Sequence, residues 1–447
     1  MVGGMRFRMI ALILLTAALA CAGNFTELKP SPQQVAWQDL EIGVLIHFGP
    51  NTFMDREWGD GQADPSVFNP KQLDATQWVS AAKAAGTRYL ILVAKHHDGF
   101  CLWPSRHTDY SVKNSPWRDG KGDLVKEVSD ACRKQGLRFG VYLSPWDRHE
   151  PSYKNNKAYD DHYVKQVTEL STRYGELTEF WLDGAGSEGH VYDFERYNER
   201  LRTYQPNTLI FAGVGFLPWG DIRWVGNERG YALEDNWNVV DRHGYLRWRP
   251  VEADTPLRKR NWFWHPNAED HLKSLDQLLD IYHHSVGHGA QLVLGLAPDD
   301  RGLLPEVDVA RLKEFGEAIG RTYSRNLTQT PGAQQYFNPE ATDDDPDTVW
   351  RAPAAIHQPK IKIAFKRTVN FDRTVAMEWL PAGQLVEKYR IDALVDGQWK
   401  TIHTGATIGH KKIDIFPRVT AKAVRLVILS AAGAPRIREF AVYDGGR

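Results

Sequence analysis

Two carboxylates stand out as able to do chemistry together. Asp183 closes the run Thr178-Glu179-Phe180-Trp181-Leu182 and is followed by Gly184-Ala185-Gly186, while Glu228 sits in Arg223-Trp224-Val225-Gly226-Asn227-Glu228-Arg229-Gly230. A carboxylate at the end of an apolar run, with glycine beside it, can attack a group that approaches the backbone closely. A second carboxylate can protonate a departing oxygen, and glycoside cleavage requires such a pair. Each also has a structural reading: Asp183 as an Asx turn or helix cap, Glu228 as the ion-pair partner of Arg223 or Arg229. Other apolar runs end in imidazoles and rings: His47 before Phe48-Gly49, His96-His97 before Asp98-Gly99, then Tyr142, Trp146, and Trp262 or Trp264. Imidazoles hydrogen-bond hydroxyls and an indole covers an apolar sugar face, so their convergence on one mouth would make a saccharide pocket.

The competing chemistries are weaker. Adjacent strand residues face opposite sides, so His96 and His97 share a metal only if the backbone turns there. The chain has no His-Glu-x-x-His, no Cys-x-x-Cys and no glycine-rich phosphate loop, so neither a metal nor a nucleotide cofactor is expected. Cys101 reads as packed, and His283-His284 as one packed and one solvated residue of a helix.

Something must hold these residues in one place. Eight apolar runs of strand length lie between Glu41 and Pro298: Ile42–Phe48, Tyr89–Ala94, Phe139–Leu143, Glu179–Leu182, Thr208–Ala212, Ile222–Val225, Asn261–Trp264 and Gln291–Leu296. Between them, apolar residues at three- and four-residue spacing predict helices over Leu73–Ala85, Leu124–Gln135, Tyr159–Tyr174 and Leu272–Val286. Gly86 and Gly136 stand where a helix ends in the left-handed conformation. Continuous apolar strands alternating with helices imply a parallel sheet covered on both faces, and eight of them a (β/α)8-type barrel, over residues 30–330. In such a barrel the functional groups lie at the C-terminal ends of the strands, where the residues above fall. Beyond Thr330 the texture changes to short β-rich runs separated by Gly, Asp and Pro, predicting a smaller all-β sandwich over residues 335–447.

With 55 Lys and Arg against 56 Asp and Glu, the net charge is −1 and no basic stripe offers itself to nucleic acid. The 16 Trp, almost level with 17 Tyr and 18 Phe, suit both cores and sugar faces. Residues 1–21 read as an export signal: Arg6 and Arg8, then an apolar run too short to span a bilayer. Either Ala18-Leu19-Ala20 is a cleavage site or Cys21 is the lipid anchor of a lipoprotein, so a periplasmic or extracellular location is expected. Cys101 and Cys132 then remain, allowing one disulfide at most.

At these residues the chain resembles the retaining α-L-fucosidases of glycoside hydrolase family 29. The carriers are Gly43-Val44-Leu45-Ile46-His47-Phe48-Gly49, Ala94-Lys95-His96-His97-Asp98-Gly99-Phe100, Phe180-Trp181-Leu182-Asp183-Gly184, Trp224-Val225-Gly226-Asn227-Glu228 and Leu292 to Asp299. The resemblance implies Asp183 as nucleophile, Glu228 as general acid/base, and fucose contacts from His47, Glu57, Trp58, His96, His97, Tyr142 and Trp264. Trp264 and Phe100 would meet the C6 methyl. The Gly-Asn-Glu setting of Glu228 is similar to the subfamily that prefers α-1,3/1,4-linked fucose on Lewis-type glycans; the stretch Tyr231-Ala232-Leu233-Glu234-Asp235-Asn236-Trp237 after it is similar too, and places Trp237 near the mouth. Gly295 and Ala297 depart from the family's usual residues in the last strand. The substrates implied are fucosylated oligosaccharides or glycoconjugates, with no cofactor. A fucosidase of broader linkage, another retaining glycosidase such as an α-galactosidase, and a non-catalytic fucose-binding barrel are the alternatives. The C-terminal domain is similar to galactose-binding-like sandwiches, here expected to pack on the barrel more than to bind sugar.

Overall fold

Strands that are covered on both faces need unbroken apolar sequence, and the observed barrel has them. The computed structural model describes residues 27–187, 189–212, 219–242, 245–329, 333–336, 338–353 and 356–446. The expected export segment, Cys21 and part of the loop after the fifth strand lie outside them. Strands β1 (Ile42–Ile46), β2 (Tyr89–Lys95), β3 (Arg138–Leu143), β4 (Glu179–Leu182), β5 (Leu209–Ala212) and β6 (Ile222–Trp224) pair in parallel and in chain order. A hairpin of β7 (Val239–Arg242) and β8 (Tyr245–Trp248) stands outside the barrel; β9 (Val251–Pro256) and β10 (Gln291–Leu296) then close it against β1. The fold is therefore the expected eight-stranded parallel barrel. Two of its helices begin on aspartate caps: Asp74 accepts from the Thr76 and Gln77 amides, and Asp123 from that of Lys126. Among the described residues no helix is long and apolar enough to cross a membrane.

The seventh strand is a correction. Asn261–Trp264 is a loop, and the strand is Val251–Pro256. Its alternation of Glu252 and Asp254 with Ala253 looked like a polar loop, because carboxylates are not expected inside a core. This interior has donors for them. Trp37 Nε1 and Trp181 Nε1 donate to Glu179 at 2.9 and 2.6 Å, and the Tyr89 hydroxyl to Glu252 at 3.1 Å.

The Glu179 and Glu252 carboxyl groups also meet within hydrogen-bond reach. Two acceptor-only carboxylates cannot do so, so the pair holds a proton. Burial pushes Glu179 up to about 7 and Glu252 well above the usual carboxylate range, with the charge of Glu179 adding to the latter. The folded state thus keeps a proton that the unfolded chain releases near a pKa of about 4.3, and stability falls as pH rises from there through about 7. Glu252→Gln supplies the proton-bearing partner permanently. Its melting temperature is expected to decline less between about pH 5 and about pH 8 than that of the native protein. Equal declines would show that the pair does not share a proton.

The C-terminal domain is a seven-stranded antiparallel sheet of β11 (Ala333–Tyr336), β12 (Trp350–Arg351), β13 (Lys360–Glu378), β14 (Val386–Val395), β15 (Gln398–Gly405), β16 (Lys412–Ala431) and β17 (Arg436–Tyr443). Lys360–Phe365 with Thr374–Leu380, and Lys412–Phe416 with Ala423–Leu429, read as four strands. They fall on two, because register shifts within β13 and β16 let single long strands pass the polar interruptions. The domain docks at the entry end of the barrel strands. His410 and Arg438 reach Asp39, just before β1, at 3.0 and 2.6 Å, and the Ile413 amide donates to the Gly287 carbonyl, just before β10.

Candidate active site

Asp183 is the first residue after β4, at the mouth. Tyr142 Oη, from β3, donates to its Oδ2 at 3.1 Å and the Ala185 amide to its Oδ1 at 3.1 Å, so the structural turn and a held carboxylate are the same arrangement. Its side chain stays 31% exposed. Burial raises its pKa, the two donors pull it down, and the charge of Glu228 pushes it up again. Glu228 is exposed on the loop after β6, near enough to act on Asp183 through that charge. Arg223, one of its expected partners, donates instead to Asn236 Oδ1 and to the Trp237 and Arg249 carbonyls.

The dihistidine works because the backbone turns. β2 ends at Lys95, and the chain folds over at His96–Asp98 into Gly99, whose φ of +88° favours glycine. Both imidazoles therefore face the mouth, with ring centroids 4.1 Å apart. His47, at the end of β1, closes the group 5.6 Å from His96. Burial and mutual repulsion hold His47 and His96 well below the usual range and His97 at about 3, so all three are neutral. The 4.0 Å approach of His97 Nε2 to Asp183 is thus no ion pair.

A tautomer follows for His97. Ser144 Oγ has one proton and lies 2.7 Å from the Trp146 carbonyl and 3.2 Å from that of Asp183, so it donates there. His97 Nδ1, 2.7 Å from the same oxygen, must donate to it. That leaves Nε2 as an acceptor facing Asp183, suited to a sugar hydroxyl. Behind this turn the buried Lys95 ammonium is held by Asp147 at 2.8 Å and Gln166 at 2.9 Å. Among the described residues no group of three or more His, Cys, Asp or Glu side chains could hold a metal ion.

Aromatic side chains line the rest. Trp58, 51% exposed, stands edge-on to His97 and Trp146 at 5.7 and 5.3 Å. Glu57 accepts from the Trp262 amide at 2.9 Å, drawing the Asn261–His265 loop across the mouth. The rings of that loop that pack on His47 are Trp262 at 5.1 Å and Phe263 at 5.3 Å, with Trp264 one residue further on and half-buried. Gly295 makes room: a Cβ there would lie 2.5 Å from the Trp262 ring.

Two expectations change, and one residue is added. Phe100 does not reach the pocket; it packs outward on Phe68 and Tyr110 at 5.4 and 5.1 Å. Trp237 is not at the mouth. Its carbonyl meets Arg223 of β6 at 2.9 Å, its neighbour Asn236 donates to the carbonyl of His288, just before β10, and Gln384 of the C-terminal domain holds Asn236 and Asn238. Its backbone thus lies at the entry end, because the connection after Glu228 descends along the barrel's flank where a helix was not formed. Asp254, buried on β9 and accepting from Trp224 Nε1 at 2.6 Å, is a site carboxyl that sequence reading missed. Burial and the charges of Glu228 and Asp183 push it up to about 7. Cys101 is packed, and His283 meets Tyr323 while His284 is partly exposed beside Asp280.

A parallel barrel with paired carboxylates, neutral imidazoles and indoles at its mouth defines a carbohydrate-active hydrolase. The α-L-fucosidase family matches residues 17–322 and the F5/8 type C domain family residues 326–440. Alpha-L-fucosidase 1 of Arabidopsis thaliana is 37% identical, over 93% of this chain and 87% of that protein. Among solved structures, SpGH29 superposes with a TM-score of 0.87 at 36% identity, covering 93% of this chain and 98% of that one. A Ruminococcus gnavus GH29 fucosidase in complex with fucose gives 0.86 at 30%, covering 93% and 95%. The chain belongs to the α-L-fucosidase family of glycoside hydrolases.

Proposed function

We propose that this enzyme is a retaining exo-α-L-fucosidase that removes terminal α-1,3/1,4-linked fucose from Lewis-type or branched glycans by double displacement. The observation that carries the reading is Asp183, aimed by Tyr142 and the Ala185 amide at the end of β4, with Glu228 acting on it across the mouth. In the first step an Asp183 oxygen attacks the anomeric carbon of fucose while Glu228 gives a proton to the departing glycosidic oxygen. In the second, Glu228 takes a proton from water, whose oxygen displaces Asp183 from the ester. His47, His96 and His97, being neutral, exchange hydrogen bonds with ring hydroxyls without adding charge beside Asp183. A barrel that only bound fucose would have no use for two carboxylates held this way.

Linkage rests on the setting of Glu228. Asn227 caps its turn, accepting from the Arg229 amide at 3.0 Å and donating to the Tyr231 carbonyl at 3.1 Å, which keeps Glu228 exposed on an open rim. Trp58 and Trp146 flank that mouth and offer faces to a sugar beside fucose. Stacking of a neighbouring galactose in the transition state adds about 1–3 kcal/mol, so Lewis a and Lewis x trisaccharides should exceed 2′-fucosyllactose and 4-nitrophenyl fucoside in kcat/KM by roughly tenfold or more. Quantifying released fucose checks this. Faster cleavage of 2′-fucosyllactose than of Lewis x would replace this linkage with a broader or α-1,2 one.

A further inference from the structure

His265 lies between two carboxylates. Its Nδ1 is 2.5 Å from Asp55 Oδ1 and its Nε2 2.6 Å from Glu57 Oε1. A neutral imidazole carries one N–H, so one of these contacts would set a lone pair against a carboxylate; both are satisfied only in the imidazolium. Glu57 in turn uses both oxygens on the same loop. Oε2 accepts from the Trp262 amide at 2.9 Å, and Oε1 also accepts from the Phe263 amide at 3.3 Å and Asn261 Nδ2 at 3.5 Å. The rings so held form one wall of the pocket, with Trp262 and Phe263 on His47 and Phe263 also on His96, 5.0 Å away.

We propose that His265, as an imidazolium clasped between Asp55 and Glu57, is a positioning residue that holds Glu57 and the Trp262–Phe263 wall in place, so that fucose affinity depends on its proton. The proposal rests on reading the mouth as a fucose pocket. The charged groups facing His265 are Asp55 and Glu57, both from the segment before Trp58. On its own loop, Asn261 is engaged by His271 at 2.9 Å. His47 and His96, beyond the wall, are neutral and do not titrate in the same range. Burial pushes His265 down, but the hydrogen bonds and charges of Glu57 and Asp55 outweigh it and leave the imidazole above its ordinary value. With a raised pKa the clasp is complete on the acidic side of that value and is lost as pH rises through it.

The test is a fluorescence titration of the full-length protein with L-fucose across the pH range, alongside KM and kcat for 4-nitrophenyl fucoside. For the native protein Kd is expected to be flat on the acidic side and to weaken by about fivefold or more on the alkaline side, with KM following it and kcat changing less. Asp55→Asn, at a side chain 61% exposed and so safe for folding, should move the midpoint to lower pH, since one of the two anions holding the proton is gone. His265→Gln, which can still donate to Glu57, should flatten the alkaline rise. Affinity that does not vary with pH in the native protein, or an unchanged midpoint in Asp55→Asn, overturns the clasp alone. No fucose binding at any pH overturns the pocket reading and the clasp with it.

Discussion

Asp183→Ala is expected to reduce turnover of 4-nitrophenyl fucoside by about a thousandfold or more while the protein stays folded, because the first covalent step loses its nucleophile. Folding should survive for a local reason. The carboxylate is 31% exposed, so water can reach the Tyr142 hydroxyl and the Ala185 amide when their acceptor is removed. The cost is about 1–2 kcal/mol, a few degrees in melting temperature. Asp183→Asn keeps the shape and one acceptor and should be as inactive, with a smaller thermal shift. Stereochemistry sharpens the test. In Asp183→Ala, added azide fills the vacated space and displaces the leaving group once, so the product is the inverted β-fucosyl azide. Loss of activity together with a collapsed melting transition would mean that Asp183 holds the barrel mouth together and does not attack.

How far this site could be read from residues alone depended on what each residue is next to. Strands β1, β2 and β10 are buried at every position and announced themselves as unbroken apolar runs. β9 could not, since Glu252 and Asp254 are interior only because Tyr89, from β2 across the barrel, and Trp224, from the paired strand β6, meet them. The dihistidine was legible as a motif, but the apolar run Tyr89–Ala94 carries no sign of the turn at His96–Asp98 on which its convergence depends. Trp237 was misplaced for a different reason. Proximity in sequence to Glu228 suggested proximity in space, yet the intervening chain runs the length of the barrel's flank and ends against Gln384, which lies far along the chain. The pairing of Asp55, Glu57 and His265 spans more than two hundred residues and has no local signature at all.

Glu228→Ala carries the second large effect, and its size should depend on the substrate. A sugar leaving group needs protonation as its bond breaks, so hydrolysis of Lewis-type trisaccharides is expected to fall by about 10²–10⁴. Fucosides with good leaving groups, such as 2,4-dinitrophenyl fucoside, should form the ester nearly as fast as before and then accumulate it, because the base for water is missing. Azide needs no base. It should restore turnover of the activated fucoside and yield α-fucosyl azide, two inversions having returned the original configuration. The opposite anomers from the two variants would distinguish the two carboxylates more firmly than rates alone. The alternatives within reach are constrained by what they already do. Glu57 has both oxygens engaged by the Asn261–His265 loop, leaving it poorly placed to exchange a proton with a leaving group. Asp254 is buried and pushed up to about 7 by that burial and by Glu228 and Asp183, so it retains a proton over the range in which a general acid operates. If good and poor leaving groups fall by the same factor in Glu228→Ala and azide restores nothing, Glu228 is not the acid, and the same measurements on Asp254→Asn would show the leaving-group dependence instead.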